Sequence, residues 1–570
     1  MAPTPARKRT AKAPAPSAIT APETTARVPA RKSPAKAPAR KTAVKAAAPA
    51  NVKAAVARPA RKTTPKAAKR TTKAATPTRK RTTKAPARAR STAARTAPSI
   101  PRRGIQAPDA PAHLTMPERI EVGREARRSV PRSSHGGWEP ASGRRDPVTL
   151  LEEQNAIRVP WLVPVRHARM RVSPFTFYRG TARIMAADLA STPTSGLQVQ
   201  LGGDAHLSNF GAYASPEREL VFDANDFDET LPGPWEWDVK RLAASFTVAG
   251  QHLGIGRKAV RKATATAVRS YREAMAEYAP MGYLDVWYDE FTVDDLQAAN
   301  HIDAEEMARR VDRFSSKARK RTSLQALAKL TERVDGRYRI RSQPPLLVPL
   351  RELPDEASPA ALEEVVRVGF EQYKETLPGN RRVLLERFTP VDMALKVVGV
   401  GSVGTRCFIM LLEGRDNEDP LFLQIKEAGP SVLEEHLGAS VYPNSGQRVV
   451  EGQQLAQAQS DIFLGWTEGR ESRQFYVRQL RDWKGSVETE GATPNQLEFY
   501  ARLCGRTLAR GHARSGDAAS ISAYLGKGDA FDRAVTDFSE AYAQQNLLDF
   551  GEFVAAIEDG RLECAESEST

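Results

Sequence analysis

Residues 198–230 read QVQLGGDAHLSNFGAYASPERELVFDANDFDET, and this stretch decides how the rest of the chain is understood. A short apolar run ends at Gly202 and Gly203, a polar loop follows, and two strand-like runs flank a turn at SPER. Asp204 and Asn209 stand five residues apart in the loop. The returning strand carries Asp223, with Asp226 and Asp228 just beyond it. Phosphoryl transfer asks for a carboxylate that orients an acceptor hydroxyl and for oxygen ligands that hold Mg²⁺. A D-x-x-x-x-N loop followed by a strand-borne Asp supplies that set. Pairing the strands around SPER places Asn209 opposite approximately Asp226, the expected second metal ligand, with Asp223 as the alternative. Asp and Asn also favour turns for local reasons, so the loop gains meaning only from its surroundings.

Downstream, WEWDVKRLAASFTVAGQHLG has the spacing of a long amphipathic helix. Upstream, a helix is expected near Pro147 with Asp146 as its N-cap, and another over TARIMAADLAST. Residues 257–375 read as mostly helical. Residues 390–485 change to strands interrupted by one helix, SGQRVVEGQQLAQAQ, and helices close the chain from Thr493 onward.

The strand-rich region carries a second constellation. Gly399, Gly401 and Gly404 have G-x-G-x-x-G spacing, but a dinucleotide fingerprint would open a helix after the third glycine. Cys407, Phe408, Ile409 and Met410 follow instead, so the glycines belong to a strand–loop–strand hairpin able to cover phosphates with backbone N–H groups. The next strand, LFLQIKEA, presents Lys426, which is either a phosphate ligand or an edge-strand lysine that discourages aggregation.

These motifs resemble those of known families. GDAHLSNFG is similar to the G-D-x-H-x-x-N loop of aminoglycoside and choline phosphotransferases, which have the protein-kinase-like fold. DFDET resembles their metal-binding segment, and GPWEWDVKRLAAS the helix start whose Asp braces the catalytic loop. The resemblance implies Asp204 as catalytic base, Asn209 and Asp226 as Mg²⁺ ligands, Asp238 as brace, and His206 and Asp228 as accessory residues. Gly202 departs from the pattern, since His or Asn usually stands there. LFLQIKEA resembles the kinase strand whose lysine meets ATP, which implies Glu451 as the ion-pair partner of Lys426, with Glu435 as runner-up. RQFYVRQLRDW resembles the strand leading to the hinge, where backbone groups receive adenine.

Kinases place the glycine loop before the catalytic loop, whereas this chain places it after. LEFYARLCGRTLARGHARSGD also resembles the helix that precedes the catalytic loop, so the order of parts implies a circular permutation, which close native termini permit. His512, Arg514 and Asp517 then lie near the active site or serve a helix end. Over residues of about 115–560 the chain closely resembles the bacterial family catalogued as domain of unknown function 2252, through VPRSSH, RMRVSPFTFYRG, GDAHLSNFG, NDFDETLPGPWEWDVKRLAAS and HARSGD. Within SPFTFYRG, Arg179 beside Tyr178 is either a phosphate or acceptor clamp or a paired surface arginine.

Charge divides the chain sharply. Residues 1–100 hold 26 basic side chains and one acid, a balance of +25, with fourteen prolines and no aromatic residue. The other 470 residues hold 59 basic and 67 acidic side chains, a balance of −8. The first segment cannot build a core and reads as a disordered basic tail, attracted to nucleic acid or another polyanion in a salt-sensitive way. Met116 offers an alternative start. Three widely spaced cysteines exclude a disulfide framework or structural zinc site, and no apolar run is long enough to span a bilayer.

The expectation is therefore an α+β chain of protein-kinase-like, two-lobed and permuted architecture. Its parts are a tail (1–105), a helical part with the catalytic and metal loops (106–385), a β-rich nucleotide-binding part (386–490) and closing helices (491–570). The expected function is an ATP- and Mg²⁺-dependent phosphotransferase acting on an unidentified hydroxyl acceptor, cytoplasmic or nucleoid-associated. Transfer of AMP, non-catalytic nucleotide binding on the nucleoid, and a two-metal nuclease are the alternatives; the last leaves the glycine loop and Lys426 without a role.

Overall fold

A computed structural model describes residues 114–292, 304–353, 359–480, 482–487 and 489–566. The basic tail, residues 1–113, lies outside them. The described residues belong to one unit, Ser99–Thr570, of mixed helices and antiparallel sheets.

The opening stretch forms four strands: β1 (Gln198–Leu201), β2 (Phe210–Ala214), β3 (Leu220–Ala224) and β4 (Leu231–Pro234). β1 pairs with β4, and β2 with β3 in a register that sets Gly211 against Asp223. Asn225 N–H donates to the Asn209 carbonyl at 2.8 Å, so Asp226 follows one residue beyond the expected pairing. β4 runs directly into the helix Trp235–His252, whose first turn carries Glu236 and Asp238 at the end that favours negative charge.

That helix is buried almost all round because other elements enclose it on every side. Arg257–Tyr278, Pro494–Ser515 and Ala530–Glu558 pack with it around Trp235, Phe246, Tyr271 and Phe538, while β1 closes another side. Complete burial of each such aromatic contributes roughly 1.5–3 kcal/mol. The Pro494–Ser515 helix starts with Thr493, whose hydroxyl accepts from Gln496 N–H while the Gln496 side chain returns to the Thr493 N–H. The last helices thus complete a core begun some 300 residues earlier.

Within 257–375, residues 331–349 depart from the expected helix. They form the hairpin β5 (Thr331–Val334) and β6 (Arg337–Ile340), then β7 (Leu347–Pro349). Asp335 and Gly336 take left-handed conformations at the hairpin turn, which ended any helical continuation. β7 then joins a six-stranded antiparallel sheet with β8 (Thr389–Lys396), β9 (Cys407–Glu413), β10 (Pro420–Ala428), β11 (Gly465–Glu468) and β12 (Gln474–Gln479). Its order is β11-β12-β10-β9-β8-β7. A short β13 (Gly485–Ser486) extends β2 instead.

Alternation along these strands feeds two cores. Ile409, Leu411 and Phe422 face the Ser323–Leu330 helix through Ala326, Leu327 and Leu330. Met410, Leu412, Leu421 and Leu423 face the opposite side, where Tyr373 and Leu385 cover them. The Ser445–Ala456 helix packs on β11 and β12, with Asn444 as its N-cap.

Candidate functional site

Asp204 sits in the loop between β1 and β2, and its position is set from below by Asp238. Asp238 Oδ2 accepts the Gly202 N–H at 2.7 Å, and Oδ1 accepts the Gly203 N–H at 3.0 Å. Gly203 has φ +82°, and a Cβ there would lie 2.3 Å from the Glu229 carbonyl, so this turn admits only glycine. Gly202, the departure from the family pattern, keeps its N–H on Asp238, so the loop is braced without a side chain there. His512 approaches Asp238 at 3.2 Å through Nε2, and Tyr271 OH lies 2.9 Å from His512 Nδ1.

One helical turn beyond Asp238, Arg241 donates to Asp204 Oδ1 from Nε at 2.9 Å, and its Nη2 lies 2.7 Å from the same oxygen in an ion pair. Asp204 Oδ2 has His206 Nε2 at 3.7 Å and makes no hydrogen bond among the described residues. Burial pushes the His206 imidazole down to about 3, so it is neutral. Asn209 donates its amide to the Asp204 carbonyl at 2.8 Å, which turns its Oδ1 free of that bond.

Lys426 arrives from β10 and reaches Asp226 Oδ1 at 3.4 Å and Asp228 Oδ2 in a closer ion pair. Tyr476 OH donates to Asp228 Oδ1 at 2.7 Å. Lys426 stands opposite Tyr476 in the β10–β12 register, so both side chains leave the same face of the sheet. Burial alone would depress the Lys426 ammonium, but the two carboxylates outweigh it and hold it well above its ordinary value. Burial and then the Asp228 charge raise Asp226, whereas Lys426 and its hydrogen bond bring Asp228 down against burial. Two carboxylates therefore share one ammonium, a charge balance with room for a cation.

Parts of the two constellations line one cleft of about 910 Å³, which Asp204, Asn209 and Asp226 share with Gly399 and Gly401, while Lys426 lies buried behind the carboxylates. Gly404 ends the loop with φ +90°, and Arg158 packs beneath it, donating to the Val403 carbonyl at 2.6 Å. Arg169 holds the Gly399 carbonyl at 2.7 Å. Asp226, Asp228 and the Asn209 amide oxygen are hard oxygen donors of the kind Mg²⁺ takes alongside phosphate oxygens. Among the described residues no group of three or more His, Cys, Asp or Glu side chains is placed to hold a metal ion by itself.

Three expectations need correction. Asp223 forms a buried ion pair with Arg510, accepts Ala224 N–H at 2.8 Å and Ala458 N–H at 3.0 Å, and has Tyr213 OH at 3.3 Å. Its oxygens are occupied and it does not line the cleft, because its strand position faces the Pro494–Ser515 helix. Glu451 does not pair with Lys426, and neither does Glu435, which meets Arg183 at 2.9 Å. The Ser445–Ala456 helix instead sends in Arg448, which donates to the carbonyls of Thr230, Asp228 and Gly429 at 2.6–2.9 Å. His512, expected only as an accessory residue near the active site or at a helix end, approaches Asp238 from behind the loop. The expected hinge is also occupied: Arg321 accepts the Trp483 N–H on its carbonyl at 3.1 Å and donates to the Lys484 carbonyl at 2.7 Å.

Arg241, Tyr476, Arg448 and Arg478 were not singled out from the sequence. Arg241 was findable, since it lies one turn from Asp238 on the same helix face. Tyr476 and Arg478 alternate on a strand beside LFLQIKEA, a weaker signal. Nothing in the sequence of the Ser445–Ala456 helix distinguishes Arg448 from a surface arginine.

No curated protein and no solved structure matches the chain. The family model described as an uncharacterized protein conserved in bacteria, DUF2252, matches residues 158–556, a span that contains the braced Asp204 loop, the Asp226–Asp228 segment, the glycine loop and Lys426. The chain belongs to the DUF2252 family.

Proposed function

We propose that this protein is a Mg²⁺-dependent phosphotransferase that uses a nucleoside triphosphate, ATP by the resemblance of its motifs, to phosphorylate a hydroxyl acceptor. The observation that carries the reading is Lys426 meeting Asp226 and Asp228 from 200 and 198 residues away, where those two carboxylates line a cleft shared with Gly399, Gly401 and Asp204. The strand order β8-β9-β10-β12-β11, with a helix between β10 and β11, supports a permuted kinase-like arrangement.

Asp204 accepts the proton of the acceptor hydroxyl through Oδ2, while Arg241 fixes Oδ1 and keeps the carboxylate oriented. The acceptor oxygen bonds to the terminal phosphorus as the bond from that phosphorus to the bridging oxygen breaks, releasing the nucleoside diphosphate. Asp226, Asp228 and Asn209 would hold Mg²⁺, which when bound neutralises phosphate charge. Lys426 supplies a fixed ammonium to the same oxygens, and the glycine loop approaches them with backbone N–H groups. Since Arg321 and the Ser323–Leu330 helix occupy the hinge side, the base is accommodated on the open side of the cleft, near Gly429 and Ser472. Full-length protein incubated with Mg-ATP and a pooled hydroxyl-compound library should release ADP, and Asp204→Ala should abolish release.

A second reading, transfer of AMP, draws on one observation. Beneath β10 and β12 the groups are polar: Gln424 and Arg478 hydrogen-bond at 3.1 Å, and burial, then Arg478, pushes the Lys484 amine down to about 7. The Arg478 guanidinium suits phosphates rather than adenine, as in a reversed nucleotide. Pyrophosphate in place of ADP among the products would mark that orientation.

A further inference from the structure

Arg179 is the one arginine around the cleft whose guanidinium finds no partner among the described residues. Arg241 is spent on Asp204, Arg183 on Glu153 and Glu435, Arg448 on three carbonyls, and Arg478 on Gln424 and the Asn225 carbonyl. Arg158 donates to Val403 under the glycine loop. Arg179 makes no hydrogen bond or ion pair through its side chain, and its Nε is buried without an acceptor.

Its placement is nonetheless tightly determined. Tyr178, fully buried, donates its hydroxyl to the Arg241 carbonyl at 2.8 Å, while the Tyr178 carbonyl accepts from Arg241 at 2.7 Å. The Arg179 carbonyl lies against Gly401, 3.1 Å from where a Cβ would stand. The backbone of Arg179 is thereby fixed between the Asp204–Arg241 pair and the glycine loop, and its side chain lines the cleft with Asp204, His206 and Asn209. Burial lowers its pKa, and only the charge of Asp204 acts against that. An unpaired, partly desolvated guanidinium on a rigid backbone destabilises the ligand-free fold, a cost retained where an anion is to be bound.

We propose that Arg179 is a phosphoryl-binding residue, whose planar fork takes two oxygens of a phosphate held between the glycine loop and Asp204. This rests on the phosphotransferase reading and deepens it. The phosphate is either the terminal group of the nucleotide or a group carried by the acceptor, and titration distinguishes them.

The experiment is calorimetric titration of full-length wild-type protein, Arg179→Gln and Arg179→Lys with four probes in Mg²⁺. The probes are the non-hydrolysable ATP analogue AMP-PNP, ADP, inorganic phosphate in the presence of ADP, and tripolyphosphate; melting temperatures are recorded without ligand. Arg179→Gln should weaken AMP-PNP binding by about 10-fold or more with ADP changed by no more than about 2-fold, which assigns the nucleotide's terminal phosphate. Loss confined to inorganic phosphate assigns the acceptor's phosphate. Arg179→Lys should recover part of the affinity, and the ligand-free melting temperature of Arg179→Gln should equal or exceed the wild type. Unchanged binding of all four probes, or a lowered ligand-free melting temperature with unchanged binding, overturns the assignment while leaving the phosphotransferase reading intact. Wild-type binding of tripolyphosphate through Arg179 without any nucleotide binding sinks the nucleotide reading and keeps the phosphoryl site. Wild-type protein that binds none of the four overturns both.

Discussion

Asp238 and His512, 274 residues apart in sequence, meet in a buried hydrogen bond of 3.2 Å. Through it the Pro494–Ser515 helix supports the same carboxylate that holds the Gly202 and Gly203 N–H groups, so the last fifth of the chain supports the Asp204 loop. Asp238→Ala strands two backbone donors and the imidazole, and should cost about 2–4 kcal/mol in urea denaturation. Asp238→Asn, which keeps one acceptor, should lose less stability but still misplace Asp204 and reduce turnover.

Asp223 and Asp226 separate structure from chemistry. Asp223→Asn leaves Arg510 buried opposite a neutral group and should lower stability by about 3 kcal/mol with Mg²⁺ dependence unchanged. Asp226→Asn should instead leave the unfolding midpoint within about 1 kcal/mol and abolish Mg²⁺-dependent nucleotide binding. Calorimetry on both variants checks the pair, and an Asp223→Asn protein that folds normally but no longer responds to Mg²⁺ would reverse the assignment.

Lys426→Met removes the ammonium from between two carboxylates. One of them must then take up a proton, so the folded variant binds more protons near neutral pH than its own unfolded chain does. Its stability deficit relative to wild type should shrink as pH falls from 7 toward 5, measured by parallel urea titrations.

His135 and His206 are buried and neutral, each pushed by burial to about 3. Below 6.5 the unfolded chain takes up a proton at each site while the folded chain does not. Stability from these groups is therefore complete above pH 6.5 and falls as pH drops, by on the order of 1.4 kcal/mol per pH unit per histidine. His135→Gln, which can keep a hydrogen bond to Tyr524 OH, should shift the acid-unfolding midpoint downward.

The basic segment gives a separate prediction. Full-length protein should retard duplex DNA in a salt-sensitive manner, and removal of residues 1–113 should abolish retardation, since the remainder carries no comparable excess of positive charge. Retardation that survives both deletion and 0.5 M salt, on the order of full screening, would place the contact elsewhere.

Much of this molecule was legible in local sequence. Strand–loop–strand order over 198–230, the helix begun by Trp235, the N-cap at Asp146 and the glycine hairpin before Lys426 all depend on neighbours within a few residues, where periodicity and capping chemistry act. The family match over 158–556 agrees with the resemblance to the DUF2252 family. Tertiary structure alone decided who pairs with whom. Lys426 chose Asp228 over Glu451 because β10 and β12 set its direction toward the Asp226 segment, and the Ser445–Ala456 helix presents Arg448 to that segment instead. Asp223, with the composition of a metal ligand, was taken by Arg510 from a helix 287 residues away. Charge partners across such distances follow from packing geometry, and the sequence pattern around each residue carries no record of it.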